Sequence, residues 1–100
     1  MAGNEFAPVT PGEMLKEEFL AEYGLSQNQL ARAVGIPPNR IAEIVNNQRR
    51  ITADTALRLA LYFGNSPEFW MNLQSNYDLK MARRKLKPED AKRIKAQPAA

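Results

Sequence analysis

Residues 26–52, SQNQLARAVGIPPNRIAEIVNNQRRIT, decide the fold, because they spell two short helices joined by a tight turn. Ser26 and Gln29 have the spacing of a capping box, and Leu25 and Leu30 that of a hydrophobic staple, so a helix is predicted to begin at Ser26. Leu30, Ala31 and Val34 then recur on one face, and Gly35 stands where a left-handed residue closes a helix after about two turns. Pro37 and Pro38 cannot continue that helix, but they suit the start of another. Ile41, Ile44 and Val45 give the second helix a single apolar stripe, while Asn39, Arg40, Glu43, Asn46 and Asn47 occupy its other face. A short helix, a glycine turn and a second helix with an amide- and arginine-rich outer face form the pattern of a DNA-binding helix-turn-helix.

The same grammar extends in both directions. Thr10-Pro11-Gly12-Glu13 predicts a helix from Pro11 to Tyr23, with Val9 and Met14 as its staple and Gly24 with Leu25 as its stop. Met14, Leu15, Phe19, Leu20 and Tyr23 line its inner side, and Glu17, Glu18 and Glu22 its solvated outer side. Thr52 caps a fourth helix that Gly64 closes. Ala53, Ala56, Leu57, Ala60 and Leu61 make one stripe on it, and Leu59, Tyr62 and Phe63 extend that stripe around the cylinder, so burial on more than one side is expected. Ser66-Pro67-Glu68 opens a fifth helix, whose Phe69, Trp70, Leu73, Tyr77 and Met81 serve either as core or as a protein interface. Beyond Lys80 the apolar pattern thins, and fraying is expected, although Pro88-Glu89-Asp90 can start one more short helix. The expected organisation is an all-α, five-helix domain over residues 9–81, with a flexible segment at 1–8 and a basic tail at 82–100.

One hundred residues with 44% hydrophobic content suffice for one small core. The chain has neither cysteine nor histidine, which removes disulfides, thiolate or imidazole metal sites, and Ser-His or Cys-His nucleophilic systems. None of its five glycines forms a phosphate-cradling loop. The sequence therefore reads as a binding protein with no catalytic residues, metal or cofactor. It shows neither a signal pattern nor an apolar run near the ~18 residues of a membrane span, so a cytoplasmic protein without a membrane partner is expected. Charge is unevenly placed: residues 1–79 hold 6 Lys/Arg against 9 Asp/Glu, and residues 80–100 hold 8 against 2. The positive excess thus belongs to the tail, and the body is acidic.

PGEMLKEEFL (11–20), GLSQNQLARAVGIP (24–37), RIAEI (40–44), ITADTALRLALYFG (51–64) and SPEFWMNLQSNYDL (66–79) together resemble the HigA antitoxins, also described as virulence-associated protein I, within the Xre-type, lambda-repressor-like superfamily. The likeness covers about residues 8–81, and the ITADTALRLA and SPEFWMNLQ segments are its most particular parts. It implies a homodimer that binds a palindromic operator, represses its own operon, and neutralises a RelE-like, HigB-type toxin that cuts messenger RNA on the ribosome. Two positions depart from the family pattern. Asn47 stands where a glycine usually follows the recognition helix, and Asn tolerates the left-handed conformation. Pro37 stands where Ser or Thr usually caps that helix, which leaves a helix N–H open to a phosphate or to water.

Carried over by position, Gln27 is expected to reach the sugar-phosphate backbone, while Asn39, Arg40 and Glu43 project toward base edges from a helix that opens at Pro38. Arg40 can pair bidentately with guanine and Asn39 with adenine, and Glu43 can accept from cytosine N4. The plainer alternative for Arg40 and Glu43 is a solvated i,i+3 ion pair. Asn46, Asn47, Arg49 and Arg50 suit phosphate contacts after the helix, with a surface role equally open to Arg50. Leu59, Tyr62 and Phe63, with the aromatic fifth helix, are the candidates for a dimer contact. The tail can follow DNA, hold a toxin, or stay solvated. Two other functions stay open: a stand-alone Xre-type repressor, and a helical protein-bridging module that contacts no DNA.

Overall fold

The computed structural model describes residues 9–98, so the segment 1–8 expected to be flexible lies outside the described residues. The described residues form six helices and no strand: α1 (residues 11–23), α2 (Gln27–Val34), α3 (Pro38–Val45), α4 (Ala53–Phe63), α5 (Pro67–Lys85) and α6 (Pro88–Arg93). Local chemistry accounts for the ends. Thr10 and Glu13 exchange reciprocal bonds of 3.0 Å at the start of α1, and Ser26 and Gln29 do so at 3.0 and 2.9 Å at the start of α2. Each pair satisfies two backbone N–H groups that a helix start leaves open. Gly24, Gly35 and Gly64 close α1, α2 and α4 in the left-handed region. Leu25 N–H donates to Leu20 and Ile36 N–H to Ala31, the six-to-one bond of a Schellman end.

The middle of α1, Leu15–Leu20, is π-helical, a departure from the plain helix expected. Bonds from i to i+5 widen the turn and bring residues five apart toward one side. Leu15 and Leu20 are accordingly both buried, at 0% and 5% exposure. Phe19 packs between them and an aromatic cluster, 4.8 Å from both Phe63 and Trp70. Tyr23, expected on the inner side, is 60% exposed and rests at the rim against Phe63.

Trp70 is fully buried, and its indole N–H donates to Asn65 Oδ1 at 2.9 Å, so the largest core side chain leaves no polar atom unpaired. Around it lie Leu15, Leu30, Ile41, Ile44, Ile51 and Leu59. Helix α4 differs from expectation. Its buried stripe is Thr55, Ala56, Leu59 and Ala60, whereas Leu57 and Leu61 are 53% and 85% exposed. At 3.6 residues per turn these two leucines lie roughly 100° and 140° around the helix from Ala56, past the face that α2 and α5 cover. Leu59 is fully buried, which removes it from the candidate dimer contacts.

α5 runs to Lys85 and the short helix at Pro88 forms as α6, so residues 81–85 and 88–93 are helical where fraying was expected, while 94–98 carry no regular structure. No residue of α6 is buried. Deleting residues 86–100 should therefore change unfolding stability by less than ~1 kcal/mol, as checked by chemical denaturation of the full and shortened chains.

Candidate nucleic-acid interface

α2, the turn at Gly35–Pro37 and α3 form a helix-turn-helix. Two contacts outside the motif set its angle. Gly12 of α1 lies so close to the carboxyl end of α3 that a Cβ built there would stand 2.1 Å from the Ile44 carbonyl oxygen and 2.6 Å from that of Val45. Arg58 of α4 donates to the carbonyl oxygens of Val34 and Gly35 at 2.8 and 3.2 Å, closing the end of α2, while Asp54 holds its Nε at 2.9 Å.

Apolar Ile41, Ile44 and Val45 seat α3 in the core and turn its other face outward. Pro38 and Asn39 are exposed, and Arg40 and Glu43 half-buried, with Gln27 half-buried in the first turn of α2. Pro37 caps α3 without a side-chain bond, as its chemistry requires. Asn47 has φ 60°, and Gln48 N–H donates to the Glu43 carbonyl at 2.7 Å, so asparagine closes the helix in the left-handed geometry a glycine usually provides.

The ion pairs differ from those the sequence proposed. Glu43 does not pair with Arg40; it accepts from Arg49 Nε at 2.7 Å. The i,i+6 pair forms because the chain reverses at Asn47 and brings Arg49 back beside α3. Arg50 pairs with Asp78 of α5, and Asn47 Nδ2 donates to the Tyr77 hydroxyl at 3.0 Å. Among the described residues, Arg40 has no carboxylate or hydrogen-bond partner for its side chain. Gln74, Tyr77 and Asp78 thus belong to this region, although the sequence placed only Tyr77 and placed it in an apolar stripe. The available signal was a polar residue, Gln74, between Trp70 and Tyr77 at core spacing. Among the described residues no helix is long and apolar enough to cross a membrane.

The Helix-turn-helix family (HTH_3) matches residues 15–70. Virulence-associated protein I of Dichelobacter nodosus is 56% identical over 79% of this chain and 73% of its own length. Antitoxin HigA-1 of Vibrio cholerae is 42% identical over 88% of this chain and 82% of its own. A Pseudomonas aeruginosa protein crystallised with its 18-bp operator DNA superposes with a TM-score of 0.86 at 42% identity, covering 91% of this chain and 98% of that one. The chain belongs to the helix-turn-helix family and, within it, to the HigA antitoxins.

Proposed function

We propose that the protein is a dimeric, cytoplasmic antitoxin that binds a palindromic operator, represses its own operon and neutralises a RelE-like, HigB-type toxin. The observation that carries the DNA-binding part is the outward face of α3. It presents Asn39 and an arginine, Arg40, that no carboxylate of the described residues neutralises. Such a pair can read adenine and guanine in the major groove. Gln27, at the start of α2, supplies a backbone contact, and Pro38 with Asn39 opens α3 toward a phosphate. Arg49 keeps its terminal nitrogens for phosphate while Glu43 holds its Nε. Glu43 then acts by aiming Arg49, in preference to the cytosine contact its position alone had offered. Asn47 shapes the backbone at the helix end.

A single unit of this size buries too little surface to select a site, so two copies should place their α3 helices ~34 to 36 Å apart, one DNA turn. Leu57, Leu61 and Tyr62 on α4, with Leu79 and Leu86 near the end of α5, are the exposed apolar side chains from which the dimer contact can be drawn. Sedimentation should report a dimer at tens of micromolar, and footprints on the chain's own upstream DNA should cover two half-sites. A monomer protecting one half-site would contradict the proposal. The exposed Glu17, Glu18 and Glu22 on α1 offer an acidic face to a toxin that is basic for RNA binding. Co-purification with the product of the adjacent reading frame tests this part, and loss of capture on reversing those three charges is the expected outcome.

A further inference from the structure

The loop that leaves α3 is fastened to the part of α5 beyond residue 70, where the segment that matches the family ends. Ile51 N–H donates to Gln74 Oε1 at 2.8 Å, Gln74 Nε2 donates to Asp78 Oδ1 at 3.1 Å, and the other Asp78 oxygen accepts from Arg50. Gln74 is 4% exposed at a position whose helical neighbours Trp70 and Leu73 are apolar. A buried amide is tolerated only where both its ends are satisfied, and a leucine or methionine would fill the same space without that requirement. Both ends of this amide are used: the oxygen takes a loop N–H and the nitrogen turns Asp78 toward Arg50. Gln74 and Asp78 stand four residues apart, hence on one side of α5.

The electrostatic consequence concerns discrimination. Of the two arginines of the loop, Arg49 gives Glu43 only its Nε and keeps its terminal nitrogens, whereas Arg50 gives a terminal nitrogen to Asp78; Arg40 on α3 is held by no carboxylate among the described residues. A loop guanidinium released onto the phosphates would add attraction blind to sequence, whereas a guanidinium on the outer face of α3 adds attraction that depends on the base. We propose that Asp78, aimed by Gln74, determines specificity as a positioning residue: it withholds Arg50 from the phosphate backbone, so that recognition is left to α3. This rests on the operator-binding function proposed above.

The test titrates the full-length chain with its own upstream duplex and with a random duplex of equal length, at several ionic strengths, beside a thermal scan. Asp78→Asn should raise affinity for random DNA and steepen the slope of log affinity against log salt by about 0.9 per released arginine. The operator-to-random ratio should fall about fivefold or more, with the thermal midpoint little changed. Arg50→Ala alone should leave the slope as in the wild type, and Arg50→Ala combined with Asp78→Asn should return it there. An Asp78→Asn chain that weakens both duplexes together as its midpoint drops would mark Asp78 as structural only and overturn the proposal. So would an Arg50→Ala chain whose slope falls by about one, since Arg50 would then already be on a phosphate. A wild-type chain that binds both duplexes alike overturns operator recognition itself. One that discriminates while Asp78→Asn moves neither slope nor ratio overturns only the role of Asp78.

Discussion

Arg40→Ala should lower affinity for the operator by one to two orders of magnitude and leave affinity for random DNA almost unchanged. The size follows from the ~1 to 3 kcal/mol carried by a bidentate arginine–guanine contact, with ~1.4 kcal/mol per factor of ten. The direction follows from the surroundings. Arg40 has no ionic partner among the described residues, so its removal strands no carboxylate beside the phosphates. Arg49→Ala is the contrasting case. It uncovers Glu43, whose charge then faces DNA unpaired, and should weaken operator and random DNA alike while flattening the salt dependence. Paired titrations on the two duplexes separate these outcomes, and equal losses for Arg40→Ala on both would remove Arg40 as a base reader.

Gly12→Ala should damage the fold severely for the addition of a single methyl group. The added Cβ would stand 2.1 Å from the Ile44 carbonyl oxygen and 2.9 Å from the Val45 carbonyl carbon, all of it backbone that no rotamer change can move aside. α1 and α3 must separate, and overpacking of this kind costs typically ~1 to 3 kcal/mol and occasionally more. For a domain of this size ~2 to 3 kcal/mol lowers the thermal midpoint by roughly 10 to 20 °C. Since the contact sits on the last turn of α3, molecules that remain folded should also bind the operator less well. Circular dichroism melting checks the first effect; a midpoint within ~3 °C of the wild type would mean the helices yield without cost.

Much of this was legible in the residues because helix ends are local. Thr10 with Glu13, Ser26 with Gln29, and Gly24, Gly35 and Gly64 act on backbone groups within five positions, and each does in space what its spacing implies. Pro37 as a cap without a side-chain bond and Asn47 in the left-handed region were legible for the same reason. The outward face of α3 followed from the apolar period of Ile41, Ile44 and Val45, which leaves Asn39 and Arg40 only one side to occupy.

Caps and apolar period, both of which act within a few residues, carried the helix starts, their order along the chain, and the side of α3 turned away from the core. Tertiary structure alone decided how charges are shared across that face and which apolar residues remain outside. Glu43 meets Arg49, not Arg40, because the chain turns back at Asn47, and Arg50 meets Asp78 because α5 crosses the loop 28 residues later in the chain. Leu57 and Leu61 stay exposed because α2 and α5 cover a different side of α4. The stripe from Trp70 to Met81 hid a buried Gln74, since apolar spacing reports which side of a helix faces inward and says nothing about the unpaired N–H, here that of Ile51, waiting on the neighbouring segment.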